Sequence, residues 1–145
     1  MQDLPHHYVA SASTLAGEHI TVRGSDLPEI ISDASVQFGG PGGRWSPEEL
    51  MMAAVADSFI LTFRGMAAAS ELQWDSIECS ADGTLELIDT ATTFTTITVS
   101  ARLTVGADTD VAEAETLLHE SEKACLITNS ITAGTQLDTE IVVAE

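Results

Sequence analysis

The chain has 145 residues, enough for one domain, 1–145, with a single substantial core. Its formal net charge of −18, with only five lysines and arginines, argues against nucleic acid and anionic membranes as partners. Two distant cysteines without CxxC spacing favour neither a disulfide framework nor a zinc site, and we expect neither metal nor cofactor. No segment at the start resembles a secretory leader, so we expect a cytoplasmic protein.

The first elements in chain order are short strands. Residues 8–14 alternate between apolar and small polar side chains, which predicts a half-buried strand. Ala16 and Gly17 form a turn, and residues 19–23 return as its partner. A third short strand at 27–31 is confined to an edge or a strand start by Pro28, which has no N–H to donate.

A glycine-rich loop follows at 38–43. Such loops can hold phosphate in front of a helix, but the phosphate-binding pattern ends in Gly-Lys-Ser/Thr, and no lysine stands here. Two glutamates at the start of the next helix would also repel an anion. We interpret the loop as a tight turn that uses the backbone freedom of glycine.

The chain is organised around the helix predicted at 46–69. Ser46 and Glu49 form a capping box, and Pro47 falls at the first helical position, where its missing N–H is no loss. The helix is apolar nearly all round, which indicates burial, and Asp57, Ser58 and Arg64 interrupt it too often for a membrane span. We expect a buried central helix shared by two subunits.

The second half of the chain predicts two more strands, a helix and a last strand. The stretches 77–87, with a bend at 81–83, and 94–105 alternate and form a long hairpin. A helix at 108–124 and a strand at 137–143 follow. The order β-β-(β)-α-β-β-α-β indicates an α+β fold.

Two segments carry a resemblance to a known family. The stretch FGGPGGRWSPEELMMAAVADSFILTF at 38–63 and the later SEKACLITNSI at 121–131 resemble the OsmC/Ohr family, the osmotically inducible and organic-hydroperoxide-resistance proteins. The resemblance implies an intertwined homodimer in which antiparallel sheets surround two long central helices. It also implies a role in the oxidative stress response, as a thiol peroxidase that reduces organic hydroperoxides with a dithiol such as a lipoyl group.

The chain departs from this family at the decisive position. Ser58 stands where the resemblance places the peroxidatic cysteine, whereas Cys125 stands at the position of the resolving cysteine and Glu48 matches the helix-start glutamate. A thiolate attacks the O–O bond and becomes a sulfenic acid, which the resolving thiol converts to a disulfide. A serine hydroxyl has no counterpart to this step, so we expect peroxidase activity to be impaired or absent.

The family's arginine is missing as well. It would fall near the turn at 16–17, where none stands, and Arg23 and Arg44 are the candidates to replace it. We expect a pocket at the dimer interface, to which Phe59 and Met51 contribute apolar surface.

Three functions stay open at this point, and with them the question whether the chain is an enzyme. The first is a member of the peroxidase family that is impaired in peroxide reduction and binds an apolar or oxidised ligand. The second is an active hydroperoxide reductase that relies on Cys125, or whose native cysteine at position 58 was replaced by engineering. The third is a dimeric scaffold without catalysis.

Several other residues have plain structural interpretations. Ser58 lacks the Gly-x-Ser-x-Gly setting of a nucleophile, and we expect its hydroxyl to bond the helix carbonyl four residues earlier. Cys79 faces inward on its strand, which favours core packing over a disulfide with Cys125. Asp57 and Arg64 lie two turns apart on one helix face and are expected to have structural partners, across a dimer or within the chain. The acidic composition has two possible explanations: adaptation of the host to high salt, or an acidic protein without such adaptation.

Overall fold

Six strands form two three-stranded sheets, one in each of two units, Met1–Leu50 and Met51–Glu145. The computed structural model describes all residues, 1–145. The α+β class predicted from the sequence is confirmed, whereas the single domain over 1–145 stays a prediction.

The N-terminal sheet is antiparallel in the order β1 (Ala10–Ser13), β2 (Ile20–Gly24) and β3 (Ile30–Ser32). Gly17 takes a φ of 82° in the turn before β2, a value that glycine adopts without strain. Pro28 precedes β3, so the sheet loses no hydrogen bond to it. All four residues of β1 are exposed; the prediction of a half-buried strand is therefore wrong for β1, because this short edge strand has no covering element in its unit.

Helix α1 (Pro47–Ala69) begins where the capping box predicts. The Glu49 backbone N–H donates to Ser46 Oγ at 3.2 Å, while Glu49 Oε2 accepts from the Ser46 backbone N–H at 3.1 Å and from its hydroxyl at 2.9 Å. These reciprocal bonds satisfy the donors that a helix start leaves free.

One face of α1 is buried and the opposite face is exposed. Val55, Phe59, Phe63 and Ala67 recur every four residues and belong to the hydrophobic core of the C-terminal unit. In the single chain only 22% of the residues in its most apolar window, of mean hydropathy 1.4, are buried. Burial of this helix between two subunits stays a prediction. By length and composition alone α1 could cross a membrane, but four core residues on one face are what a core helix has.

The C-terminal sheet contains the predicted long hairpin, β4 (Ser76–Ile88) and β5 (Ala91–Val105), and then β6 (Gly134–Val143), which pairs parallel to β5. The register shifts between Thr84 and Leu85, directly after the bend at 81–83 that the sequence predicts. Residues with apolar side chains alternate along β5 and form the core side of the sheet: Ile97, Val99, Ala101, Leu103 and Val105.

Gly83 marks a close approach between β4 and α1. A Cβ atom at Gly83 would lie 2.7 Å from Met52 Sδ and 2.8 Å from Phe94 Cε1, distances that side chains do not adopt. The glycine therefore fits this position because of the neighbouring side chains and not because of a turn.

Two helices connect β5 to β6. Helix α2 (Val111–Ala124) is capped by Asp110, which accepts hydrogen bonds from the backbone N–H groups of Ala112 and Glu113. The predicted start at residue 108 is therefore wrong by three residues, since Asp110 is the cap. A single-turn helix α3 (Leu126–Asn129) follows Cys125 directly, where the sequence predicted only a connector from 129 onward.

Candidate thiol site between helices α1 and α2

The structure brings the two family-matched positions of the C-terminal unit into contact. Ser58 lies midway along α1, and Cys125 lies at the junction of α2 and α3. The Cys125 thiol donates to Ser58 Oγ at an S–O distance of 3.3 Å. Residue 58 is thus the immediate neighbour of the Cys125 thiol.

The junction holds Cys125 in a fixed backbone conformation. Cys125 has an extended backbone, with a ψ of 110°, between the two helices. Its N–H donates to the Glu122 carbonyl at 3.3 Å. Its carbonyl accepts from the Asn129 N–H at 3.0 Å and from the Thr128 hydroxyl at 3.2 Å. Both backbone polar groups are therefore bonded, and the side chain points toward α1, where the sulfur contacts Ser58.

Ser58 presents its hydroxyl to the sulfur. Its carbonyl accepts from the Thr62 hydroxyl at 2.8 Å, whereas its own Oγ is engaged by Cys125. The structure shows no bond from the Ser58 hydroxyl to the helix carbonyl four residues earlier; instead, Ser58 Oγ accepts from the Cys125 thiol.

The surroundings of Cys125 favour its thiolate. Cys125 is only 1% exposed, and this burial raises its pKa; hydrogen bonds from Ser58, from the backbone and hydroxyl of Thr128, and from the Ile127 N–H lower it. The hydrogen bonds prevail, and the pKa of Cys125 lies below the ordinary 9.0. The sequence analysis did not identify Ile127 and Thr128 as donors to this thiol. Their position directly after a cysteine at a predicted helix end was the signal that could have identified them.

The second thiol has the opposite environment. Cys79 lies on β4, partly buried against the core, and burial raises its pKa to about 11, with a smaller contribution from the nearby charge of Cys125. Both cysteines are free thiols. The core-packing interpretation of Cys79 agrees with this placement.

Glu48 lies in the first turn of α1 and lines a cavity of about 560 Å³ in the N-terminal unit. Its Oε2 atom is buried and has no hydrogen-bond partner, which makes it the one buried side-chain polar atom of the chain without one. The cavity wall is mainly apolar and includes Ala12, Ile20, Val22, Phe38 and Leu50.

The two candidate arginines share another cavity of the same unit. Arg23 and Arg44 both line a space of about 600 Å³, and Arg44 also borders one of about 510 Å³ beside Trp45. Arg23 Nε donates to Glu29 Oε1 at 3.0 Å and its Nη1 donates to Ser13 Oγ at 2.7 Å. Arg23 is therefore already engaged, and Arg44 takes part in none of the ion pairs of the chain.

The two apolar candidates lie on the core side of α1. Phe59 is 1% exposed and belongs to the core, and Met51 is partly buried against it. Successive helix residues are turned by about 100°, so Phe59 and Ser58 point in directions about a quarter turn apart.

The fold and the pair of positions 58 and 125 define a class. It is an α+β protein in which a long helix packs on a three-stranded sheet and contacts a cysteine at the junction of two later helices. The family described as OsmC-like protein matches residues 40–140. The chain belongs to the OsmC-like family.

Related proteins and solved structures match the chain along nearly their whole length. An uncharacterized protein of Bacillus subtilis, YmaD, is 24% identical over 140 residues, which cover 93% of each chain. An OsmC-like protein of unknown function from Vibrio cholerae superposes with a TM-score of 0.81 at 20% identity, covering 95% of this chain and 100% of the other. An organic hydroperoxide resistance protein OsmC from Legionella pneumophila gives 0.76 at 20% identity, covering 97% and 99%.

Proposed function

We propose that this chain is a hydroperoxide-directed protein of the OsmC/Ohr type whose catalytic turnover is impaired because Ser58 occupies the peroxidatic position. The observation that carries the proposal is the 3.3 Å contact between Ser58 Oγ and Cys125 Sγ. It sets an oxygen and a sulfur side by side where the family resemblance implies two sulfurs.

The chemical reason is the difference between the two atoms. A thiolate attacks one oxygen of R–O–O–H, the O–O bond breaks, the sulfur becomes a sulfenic acid and the alkoxide leaves as an alcohol after protonation. A second thiol then displaces hydroxide from that sulfenic acid to give a disulfide. Ser58 can carry out neither half, since its hydroxyl ionises far less readily and forms no counterpart of the disulfide.

The test is reduction of tert-butyl hydroperoxide with dihydrolipoamide by the parent chain and by Ser58→Cys. We expect Ser58→Cys to turn over at least about tenfold faster, since it restores the second sulfur within reach of Cys125. Ser76→Cys on β4 adds a thiol elsewhere and should leave the parent rate unchanged. Equal rates for the parent and Ser58→Cys would overturn the proposal and favour a non-catalytic scaffold.

A second candidate function is supported by the lowered pKa of Cys125. In it Cys125 itself attacks the hydroperoxide and a dithiol such as a lipoyl group returns the sulfenic acid to the thiol, with release of water. Ser58 then acts as a positioning residue whose O–H donates to the thiolate. Peroxide consumption by the parent that disappears in Cys125→Ala would identify this route.

We further propose the assembly and place that the family resemblance and the acidic composition suggest. The chain works as a homodimer in the cytoplasm, in the response to oxidative stress, and with neither nucleic acid nor membrane as partner. The net charge of −18 supports the last point, because phosphate backbones and anionic lipids repel such a surface.

A further inference from the structure

A cavity of about 560 Å³ lies in the N-terminal unit beside Glu48, and we call it the Glu48 cavity. Its volume falls in the range of roughly 300–1,000 Å³ that is typical of small-molecule sites. All of its lining residues belong to the segment 12–50, whereas Ser58 and Cys125 belong to the C-terminal unit. The Glu48 cavity is therefore formed by residues other than those of the thiol site.

Glu48 is one of two adjacent glutamates at the start of α1, and only the other one serves the helix cap. Glu49 Oε2 accepts from the Ser46 N–H at 3.1 Å and from the Ser46 hydroxyl at 2.9 Å, which completes the capping box. Glu48 belongs to none of the five ion pairs, and its buried Oε2 atom accepts no hydrogen bond. Folded proteins leave few buried acceptors in this state, because a carboxylate oxygen removed from water is destabilised until a donor reaches it. An N–H or O–H group from outside the chain would satisfy this atom.

The second carboxylate of the cavity is already compensated. Asp33 Oδ2 accepts from His19 Nδ1 at 2.6 Å, and its Oδ1 accepts from the Ala34 N–H at 2.8 Å. These hydrogen bonds, together with the nearby charges of His19 and Arg44, hold the pKa of Asp33 below its ordinary 3.8. No lysine, arginine or histidine lines the cavity itself. Glu48 thus contributes one negative charge with which no basic residue of the chain pairs.

The rest of the cavity wall is suited to a hydrocarbon group. Ile20, Val22 and Leu50 line the cavity with apolar side chains, and Ser32 and Ser35 add hydroxyl groups. Hydroxyl oxygens accept hydrogen bonds as well as donate them. A ligand with an apolar body and several donors at one end matches this combination of groups.

We propose that the Glu48 cavity binds a small primary ammonium ion, whose N–H groups donate to Glu48 Oε2 and whose hydrocarbon chain lies against the apolar wall. Such an ion has three donors and one positive charge, so it satisfies the unpaired oxygen and neutralises the carboxylate together. The net charge of −18 adds to the attraction, because it raises the concentration of cations near the chain.

Other occupants fit the Glu48 cavity less well. A metal ion needs several ligands, and no group of three or more His, Cys, Asp or Glu side chains occurs that could hold one. An organic anion would face the Glu48 carboxylate, and no basic residue lines the cavity to receive it. A neutral alcohol or a water molecule can donate to Glu48 but leaves its negative charge unpaired.

The first test is isothermal titration calorimetry of the full chain with hexylammonium chloride at pH 7. We expect saturable binding, and we expect hexanol, which has the same chain without the charge, to bind at least about tenfold more weakly. Hexanoate should show no binding. Equal affinities for hexylammonium and hexanol would overturn the proposal, as would a parent chain that binds no hexylammonium.

Two glutamates in the first turns of two helices separate the role of Glu48 from that of the net charge. Glu48→Gln keeps the shape of the side chain and removes its charge, so the dissociation constant for hexylammonium should rise at least about tenfold. Glu113→Gln makes the same change in the first turn of α2, where the side chain is exposed, and should leave the dissociation constant within about twofold of the parent. A Glu113→Gln chain that binds as weakly as Glu48→Gln would contradict the proposal, because the attraction would then come from the net charge alone.

The second test locates the ligand in the parent chain and needs no variant. In methyl-labelled protein, hexylammonium should shift the resonances of Ile20, Val22 and Leu50, whereas those of Val99 and Leu118 in the C-terminal core should stay in place. Shifts confined to the C-terminal core would place the ligand elsewhere and refute the proposal. Neither test uses a hydroperoxide, so its outcome does not depend on the reaction of Cys125.

Discussion

The two thiols of this chain are both largely shielded from solvent, yet their pKa values move in opposite directions. Cys125 lies at a helix junction among donors from Ser58, Thr128 and Ile127, and its pKa falls below 9.0. Cys79 lies on a strand against apolar neighbours, and its pKa rises to about 11. Burial opposes the charged form at both sites, so hydrogen-bond donors decide which sulfur can become a nucleophile.

The largest expected contrast is in the titration of the two sulfurs. We expect the ionisation midpoints to differ by more than about two pH units, equivalent to a hundredfold in the ionisation constants. The ¹³Cβ shifts of cysteine-labelled protein, assigned with Cys79→Ser and Cys125→Ser, measure both. Midpoints within one unit of each other would remove the distinction between the sites.

The same contrast predicts which sulfur is oxidised. After one equivalent of an organic hydroperoxide, dimedone should label Cys125 at least about tenfold more than Cys79, because only a thiolate attacks the O–O bond. Peptide mass spectrometry measures the ratio. The prediction is wrong if Cys79 carries the adduct.

Removing the hydroxyl at position 58 should make the two thiols more alike. Ser58→Ala deletes one donor to the Cys125 thiolate, and we expect its pKa to rise by about one unit and its reaction with hydroperoxide to slow several-fold. Ser100→Ala on β5 is a control of the same chemistry away from the junction. An unchanged pKa would mean that Thr128 and Ile127 hold the thiolate without help from Ser58.

The smallest effect concerns stability at high pH. The pKa of Cys79 is raised in the folded chain, so unfolding releases its proton more readily above pH 9, and the free energy of unfolding should fall between pH 9 and 11. Cys79→Ala should reduce this fall by on the order of 1 kcal/mol, allowing for partial exposure. Urea unfolding at pH 8 and pH 10.5 measures the free energy of unfolding of the parent and of Cys79→Ala. An equal fall in both chains would contradict the raised pKa of Cys79.

Local rules explain what the sequence could predict. The start of α1 follows from Ser46, Pro47 and Glu49, and the long hairpin from alternation, because both signals act between near neighbours. Which face of α1 the chain itself buries could not be predicted, since the helix is apolar nearly all round and its sequence does not mark one face. The contact between positions 58 and 125 came through the family resemblance, whereas the donors around Cys125 depend on the unforeseen helix α3.

The central claim is that Cys125 is the reactive sulfur and has no sulfur partner in this chain. Intact mass spectrometry after treatment with excess organic hydroperoxide, without reductant, tests it most directly. The parent should gain oxygen at Cys125, about 16 Da per atom, whereas Ser58→Cys should lose about 2 Da as a disulfide forms. A parent chain that loses about 2 Da by joining Cys125 to Cys79 would contradict the account.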